Sequence, residues 1–486
     1  MAENVKAVTL EHVNSYSKHF NEQRANLLAA NASVANGVLK AATSYQAQRK
    51  LQREFSVELK QGSITNQLHS GRCWMFASLN TLRYELMHKW NLDDFEFSES
   101  YLFFWDKIEK ANAYLENVLD TLDEPIDSRL FQIINEGPID DGGWWQMFVN
   151  LVNKYGLVPK SAYPDSQNAT DSDTFVQYIN SKLREFAAEL REAHKNGTSL
   201  EELREMKVRD LETVYRMTAI ALGEPPERFD FIARTKDDED EDKKDGKKDE
   251  KSENSEKSED KKDKKEEKPK TGKDDRPMIC EIGITPLEFA KKYVPVDVND
   301  FVTLSNSPME RTPFNKLYQI KYSTNVAETK GMEFVNVPID VFRKAAVAQL
   351  NAGHPIWFAC DCTQFSLREA GFFDPAVVRV DELFDVKFNF TKAQGLEYMD
   401  SPSNHAMTFT GVNINKDGEP DRWKIENSWG KDAGEDGYYV GSAAWFDRYV
   451  TEIIINKKYL DEETLEILKQ EPVMVEPWEP LTKRCN

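Results

Sequence analysis

Near the middle of the chain lies "TKDDEDEDKKDGKKDEKSENSEKSEDKKDKKEEKPKTGKDDRP", residues 235–277, without one aliphatic or aromatic side chain. Such a run buries no apolar area to offset the entropy of ordering it, so it is expected to be disordered. It therefore divides what can fold into two stretches of different character. The simplest place for it is a surface-loop insertion; a regulatory or targeting tract is the other use for such a composition.

Before the break the sequence reads as helix. Residues 1–60 form an Ala-rich, polar helical extension, and residues 61–234 a helical subdomain. Within it Met75, Leu79, Leu82, Leu86 and Trp90 recur at spacings of four, three, four and four, the apolar stripe of an amphipathic helix. Ser70 is the expected N-cap, with Gly71 and Arg72 opening the first turn. After the break, residues 278–470 read as strands ("IWFACDC", "AMTFTGVNI", "RWKIENSW"). The last segment, 471–486, carries three prolines and no helical period, and is expected to lie as an extended arm.

The net charge is −21 over 486 residues, and the charged run supplies little of it: Lys236–Arg276 holds 15 basic and 18 acidic side chains. The remaining excess is spread elsewhere and argues against a nucleic-acid partner, which needs a basic face. Five cysteines (73, 280, 360, 362 and 485) are an odd number without regular spacing, which points to a reducing compartment rather than a disulfide framework. The N-terminus lacks the basic-then-apolar pattern of a signal peptide, and no apolar run could span a bilayer. A soluble, cytoplasmic protein without a membrane partner is expected.

Cys73 stands in "NQLHSGRCWMF", at an expected helix start where the dipole favours a thiolate. Read alone, such a cysteine is more often inert. His69 lies close by, but nothing near it would orient its second ring nitrogen. His405 and Asn427 fall in "NHAMTFTGVNINKDGEPDRWKIENSWG", which reads as two strands joined at Asp417-Gly418. A two-residue loop there pairs Asn427 with Thr408; a loop centred near Lys416, or a bulge, brings His405 and Asn427 opposite each other. An asparagine oxygen on one imidazole nitrogen fixes the tautomer that offers the other nitrogen to a thiol, and Trp429 can shield that bond. Without Cys73 the same two residues read more readily as strand caps. Gln67, six residues before the cysteine, can join the Cys73 N–H in holding an oxyanion. "HPIWFACDC" carries His354, Cys360 and Cys362 but no zinc spacing, and reads as a core strand.

The set Gln67, Cys73-Trp74, His405 and Asn427-Ser428-Trp429 resembles the papain-like cysteine peptidases in residue type and order. "ITNQLHSGRCWMF", "FEFSESYLFFWDK", "DDGGWWQMFVNLVNKYGLVPKSAYPDS", "NHAMTFTGV" and "IENSWG" resemble more closely the bleomycin hydrolase and aminopeptidase C family, from about residue 55 to 475 outside the charged insertion.

The resemblance implies an α+β, papain-like fold, with a helical subdomain, an antiparallel β-barrel-like subdomain and large helical insertions. Cys73 and His405 lie 332 residues apart, whereas the papain pattern has about 130 to 150, which leaves ample chain for added elements. It also implies a cytosolic aminopeptidase acting on peptides and on amides such as bleomycin, assembled as a homohexameric barrel and needing no cofactor or metal. Cys73, His405 and Asn427 would be catalytic and Gln67 would hold the oxyanion. Gly142 and Gly143 would meet an extended substrate, although either glycine alone reads as well as a tight turn. The arm would enter the cleft and present the carboxylate of Asn486 to the substrate's free amine. Family arms usually end in small apolar residues, whereas this one ends "EPLTKRCN". An idle chamber or scaffold, and an acyltransferase using the same thiol, are the alternative functions.

Overall fold

The computed structural model describes residues 6–236, 274 and 276–485. The bulk of the charged run, and Asn486, lie outside the described residues. The strands on either side of the run, β2 (Phe229–Arg234) and β3 (Met278–Ile284), pair as an antiparallel ribbon. Helical character ends at Leu222, seven residues before β2.

The first fifty-odd residues fold as α1 (Leu10–Glu22), α2 (Arg24–Asn36), α3 (Val38–Ala41) and α4 (Tyr45–Lys50). None of the four contains a buried residue. A short strand, β1 (Val57–Glu58), leads into the body.

The helical part of that body is built around α5 (Cys73–Lys89) and α6 (Glu99–Asp120), with α7 (Arg129–Glu136), α8 (Trp145–Tyr155), α9 (Gln167–Thr170), α10 (Asp173–Lys195) and α11 (Leu200–Leu222). Two sequence expectations for α5 are corrected. Its cap position is Arg72 and makes no side-chain cap bond. Ser70 is occupied elsewhere: its hydroxyl donates to the Gln67 carbonyl at 2.7 Å and accepts from Arg72 Nε at 2.8 Å. Nor is α5 amphipathic, since Cys73 through Tyr84 are all buried. Its polar positions are satisfied inside: Ser78 and Thr81 donate to carbonyls one turn back, Asn80 donates to Thr65, and Arg83 pairs with Glu426 at 2.7 Å.

The second half forms one twelve-stranded sheet among the described residues, comprising β1, β4 (Phe301–Ser305), β5 (Lys316–Ile320), β6 (Glu333–Asn336), β7 (Ile356–Cys360), β8 (Ser366–Leu367), β9 (Phe372–Phe373), β10 (His405–Ile414), β11 (Pro420–Glu426), β12 (Tyr438–Ser442), β13 (Val450–Asn456) and β14 (Val473–Val475). The expected all-antiparallel subdomain is corrected to a mixed sheet, because β4–β6, β9–β12 and β5–β14 pair in parallel. Parallel neighbours need long connections, and β5 lies in the chain between β4 and β6. Alternate residues of the central strands face different cores. Trp357, Ala359, Ala406 and Ile454 join the core that contains α5, whereas Phe358, Met407, Ile453 and Ile455 join the one behind the sheet. Helix α5 is fastened to this front face by Trp357 Nε1 on the Trp74 carbonyl (3.0 Å) and Thr408 Oγ1 on the Ala77 carbonyl (3.2 Å).

Candidate active site

The meeting of α5 with the front of the sheet brings together residues from opposite ends of the sequence. Cys73 is the first residue of α5, and its sulfur receives the backbone N–H of Ala406, the residue after His405. Burial pushes the Cys73 thiol up to about 12, despite help from the Ala406 and Trp74 backbone N–H groups. The helix start favours the thiolate, but burial opposes it more strongly. Desolvation of an enclosed sulfur outweighs the dipole, and ionisation requires a proton acceptor.

His405, the residue before Ala406, is the candidate acceptor. Its Nε2 lies 2.9 Å from Asn427 Oδ1. A carboxamide oxygen only accepts, so Nε2 carries the proton and Nδ1 is left with a lone pair. The inner ladder has the register of a loop centred on Asp417-Gly418, with Gly411 opposite Lys424 and Val412 opposite Trp423. A bulge between Phe409 and Gly411 advances it by one residue, so that Thr408 faces Glu426 rather than Asn427. The side chains of His405 and Asn427 cover the rest. The Trp429 ring stacks on the imidazole, centroids 4.7 Å apart and planes at 26°, and screens the His405–Asn427 bond.

Gln67 is built into the same corner. Its N–H donates to the Ser428 carbonyl at 2.9 Å, and its Oε1 accepts from Ser428 Oγ at 2.7 Å. Its Nε2 donates to the Ser70 carbonyl at 2.7 Å, which engages one of the two amide hydrogens. Arg72 does not lend its charge to the thiol. Its guanidinium meets Asp165 at 2.9 Å and Ser100 at 3.2 Å. Burial would raise Asp165, but Arg72 and Lys160 hold it at about 2. His69 is exposed, and His354 bonds Glu85 at 2.6 Å. Cys360 and Cys362 are buried thiols.

The two glycines stand across from Cys73, on a loop whose support the sequence does not advertise. Lys107 and Lys110 of α6 are buried, and their ammonium groups reach the loop: Lys107 Nζ to the Ile139 carbonyl and Asp141, Lys110 Nζ to the carbonyls of Asp140 and Gly142. The Gly142 carbonyl is thus already taken. Asp141 also accepts from the Gly71 N–H and Ser172, tying the loop to the residues before Cys73. Burial would raise Asp141, but Lys107 and these hydrogen bonds hold it below the ordinary carboxylate value. Charged residues inside "YLFFWDKIEKANAYL" are the only sequence sign of this support. A Cβ on Gly143 would stand 2.6 Å from the Trp74 ring, so glycine is required there.

Gly143 is occupied. Its N–H donates to the Cys485 carbonyl at 3.1 Å in an antiparallel bridge. The arm reaches that point along a fastened path: β14 beside β5, Lys321 on Glu476, Arg129 over the Trp478 ring and Arg311 on both oxygens of Glu479. Leu481 and Cys485 are buried.

A buried thiol at a helix start, an imidazole oriented by a carboxamide on the facing sheet, and an extended-chain binding edge opposite them define a papain-like cysteine peptidase. The Peptidase C1-like family matches residues 7–252 and 271–482, and the chain belongs to that family. Aminopeptidase C of Listeria monocytogenes is 35% identical over 474 residues, covering 98% of each chain. Aminopeptidase E of Lactobacillus helveticus is 36% identical over 475 residues, 98% of this chain and 99% of that protein. The crystal structure of PepW from Lactobacillus rhamnosis HN001 aligns with a TM-score of 0.88 at 34% identity, over 99% of each chain.

Proposed function

We propose that this chain is a cysteine aminopeptidase of the cytoplasm, hydrolysing peptides and small amides such as bleomycin from a free N-terminus. The observation that supports this reading is the pairing of Cys485 with Gly143, which we read as the arm taking the amino side of the cleft so that few residues fit ahead of the scissile bond.

In the reaction Cys73 Sγ bonds to the scissile carbonyl carbon while its proton passes to His405 Nδ1. Asn427 holds the imidazole and stabilises its protonated form. The oxyanion is met by the Cys73 N–H, which has no acceptor within the helix, and by the remaining amide hydrogen of Gln67. His405 then protonates the departing amine, and the C–N bond breaks. Water attacks the thioester with His405 as base, releasing the free acid and the thiol. Neither a metal nor an organic cofactor enters these steps.

The chain is read as a homohexamer. Support comes from the N-terminal helices, where Leu10, Val13, Tyr16, Leu28 and Val34 are exposed on elements with no buried residue. A reducing compartment suits the five free cysteines. No helix among the described residues is long and apolar enough to cross a membrane.

Digestion of a defined decapeptide, followed by mass spectrometry, tests the activity. Stepwise loss of residues from the N-terminus is expected. Early internal fragments would contradict an exopeptidase.

A further inference from the structure

Arg72, the residue before the nucleophile, is fully buried, and its charge is met by Asp165 rather than by the thiol. A guanidinium is costly to desolvate, and its Nη2 has no hydrogen-bond partner among the described residues. What it also reaches is Ser70. Arg72 Nε donates to Ser70 Oγ at 2.8 Å, and the same hydroxyl donates to the Gln67 carbonyl at 2.7 Å. A guanidinium only donates and a carbonyl only accepts, so the direction of both bonds is fixed. Arg72 Nη1 is anchored on Ser100 and on Asp165, whose other oxygen is held by Lys160 at 2.8 Å. The Phe76 and Phe103 rings lie 5.1 and 5.3 Å from the guanidinium carbon.

Gln67 and Ser70 close a ring of their own. Gln67 Nε2 donates to the Ser70 carbonyl at 2.7 Å, while the Ser70 hydroxyl returns a bond to the Gln67 carbonyl. Ser428 Oγ donates to Gln67 Oε1 at 2.7 Å, so the carboxamide is held at both ends and its second amide hydrogen is left for an oxyanion. Within this ring Leu68 has a φ of +53°, a left-handed conformation that leucine rarely adopts. A turn of this kind persists only where its surroundings over-determine it. The Leu68 side chain is half exposed and supplies little of that. Asn66 Oδ1 takes the Leu68 N–H at 3.0 Å on one side, and the Ser70–Gln67 ring closes the turn on the other.

We propose that Ser70 and Arg72 are positioning residues for the oxyanion donor. Arg72 fixes the Ser70 hydroxyl, Ser70 fixes the 67–70 turn, and the turn aims the Gln67 amide at the developing charge. Neither side chain touches the substrate. Their contribution belongs to the step in which the carbonyl oxygen becomes anionic, so both act on kcat and not on ground-state binding. This rests on the proposed thiol peptidase reading, since an oxyanion forms here only if Cys73 attacks a carbonyl.

The test uses full-length protein with leucine amide as substrate and leucinal as inhibitor. Cys73 Sγ adds to the aldehyde carbon of leucinal, and the thiol proton moves to its oxygen to give a reversible hemithioacetal. Ser70→Ala keeps the carbonyl that Gln67 bonds but removes the hydroxyl; Arg72→Lys keeps a charge for Asp165 but loses Nε. Both are expected to lower kcat about tenfold or more with KM little changed. Both should also weaken leucinal by at least about threefold, the value of a neutral hydrogen bond. Alkylation of Cys73 by iodoacetamide forms no oxyanion and should keep its wild-type rate. In a Gln67→Ala background, itself lower in kcat by about 10² to 10³, Ser70→Ala should cost nothing further, because the donor it aims is gone. The proposal is overturned by an unchanged kcat in Ser70→Ala or by a fall of the same size in the Gln67→Ala background. A parallel fall in alkylation also overturns it, since Cys73 itself would then have moved. Ser70→Ala decides the matter alone if Arg72→Lys does not fold. Wild type that neither cleaves leucine amide nor binds leucinal counts against the thiol peptidase reading itself, and this proposal falls with it.

Discussion

His405 Nε2 and Asn427 Oδ1 meet at 2.9 Å although the ladder of their strands last pairs Thr408 with Glu426. The bond is closed by side chains reaching past the paired residues, and its cover is the Trp429 ring. An orienting contact of this kind is sensitive to chemistry more than to bulk. Asn427→Ala should lower kcat by roughly 10² to 10⁴, the usual span for a misplaced general base, with KM little changed. Steady-state kinetics on an amino-acid amide checks it; an unchanged kcat would remove Asn427 from the mechanism.

The contact of Gly143 with Trp74 gives a stability prediction. A methyl group there would overlap the indole, and the loop is already held by Lys107 and Lys110. Gly143→Ala should destabilise the fold by about 1–3 kcal/mol, as overpacking does. Urea unfolding monitored by tryptophan fluorescence measures the loss, and no shift in midpoint would contradict the packing described.

The readings that came directly from the sequence rest on residues whose chemistry is short-range. Cys73 with Gln67, and His405 with Asn427, sit in stretches where type and spacing suggest the use. What stayed hidden depends on distant partners. Ser70 looks like a cap, but Gln67 and Arg72 claim its hydroxyl. Arg83 looks like the wet side of α5, but its partner Glu426 is 343 positions away. Lys107 and Lys110 read as solvent charges until the 139–142 loop folds onto them. Glu452 lies in "VTEIIIN", and burial on both faces of β13 is visible only once neighbouring elements pack against it.

Burial of Glu452 also sets a pH signature. Its carboxyl titrates near 8 in the folded chain instead of the ordinary 4.5, so between those values the native state holds a proton the unfolded state has lost. Stability contributed by this group therefore falls as pH rises from about 4.5 to about 8. The thiols of Cys73 and Cys485 are both pushed above that window and stay neutral within it. Glu452→Gln removes the effect. Its melting temperature relative to wild type should be more favourable at pH 8.5 than at pH 5.5; an offset independent of pH would contradict a buried, unpaired carboxyl.

The arm predicts a change of specificity. A chain ending at Thr482 loses the Cys485–Gly143 bridge but keeps the Arg311–Glu479 clamp. It should cut N-acetylated peptides that the full chain leaves intact, and its Cys73 should react faster with iodoacetamide. Identical cleavage profiles, read by mass spectrometry, would mean that the arm does not gate the cleft.

The most direct measurement compares wild type with Cys73→Ala on leucine amide and on N-acetyl-leucine amide under reducing conditions. The account predicts turnover of the free-amine substrate by wild type, little of the acetylated one, and a loss of at least about 10³ for Cys73→Ala. Turnover that survives in Cys73→Ala, or equal cleavage of both amides by the wild type, would contradict it.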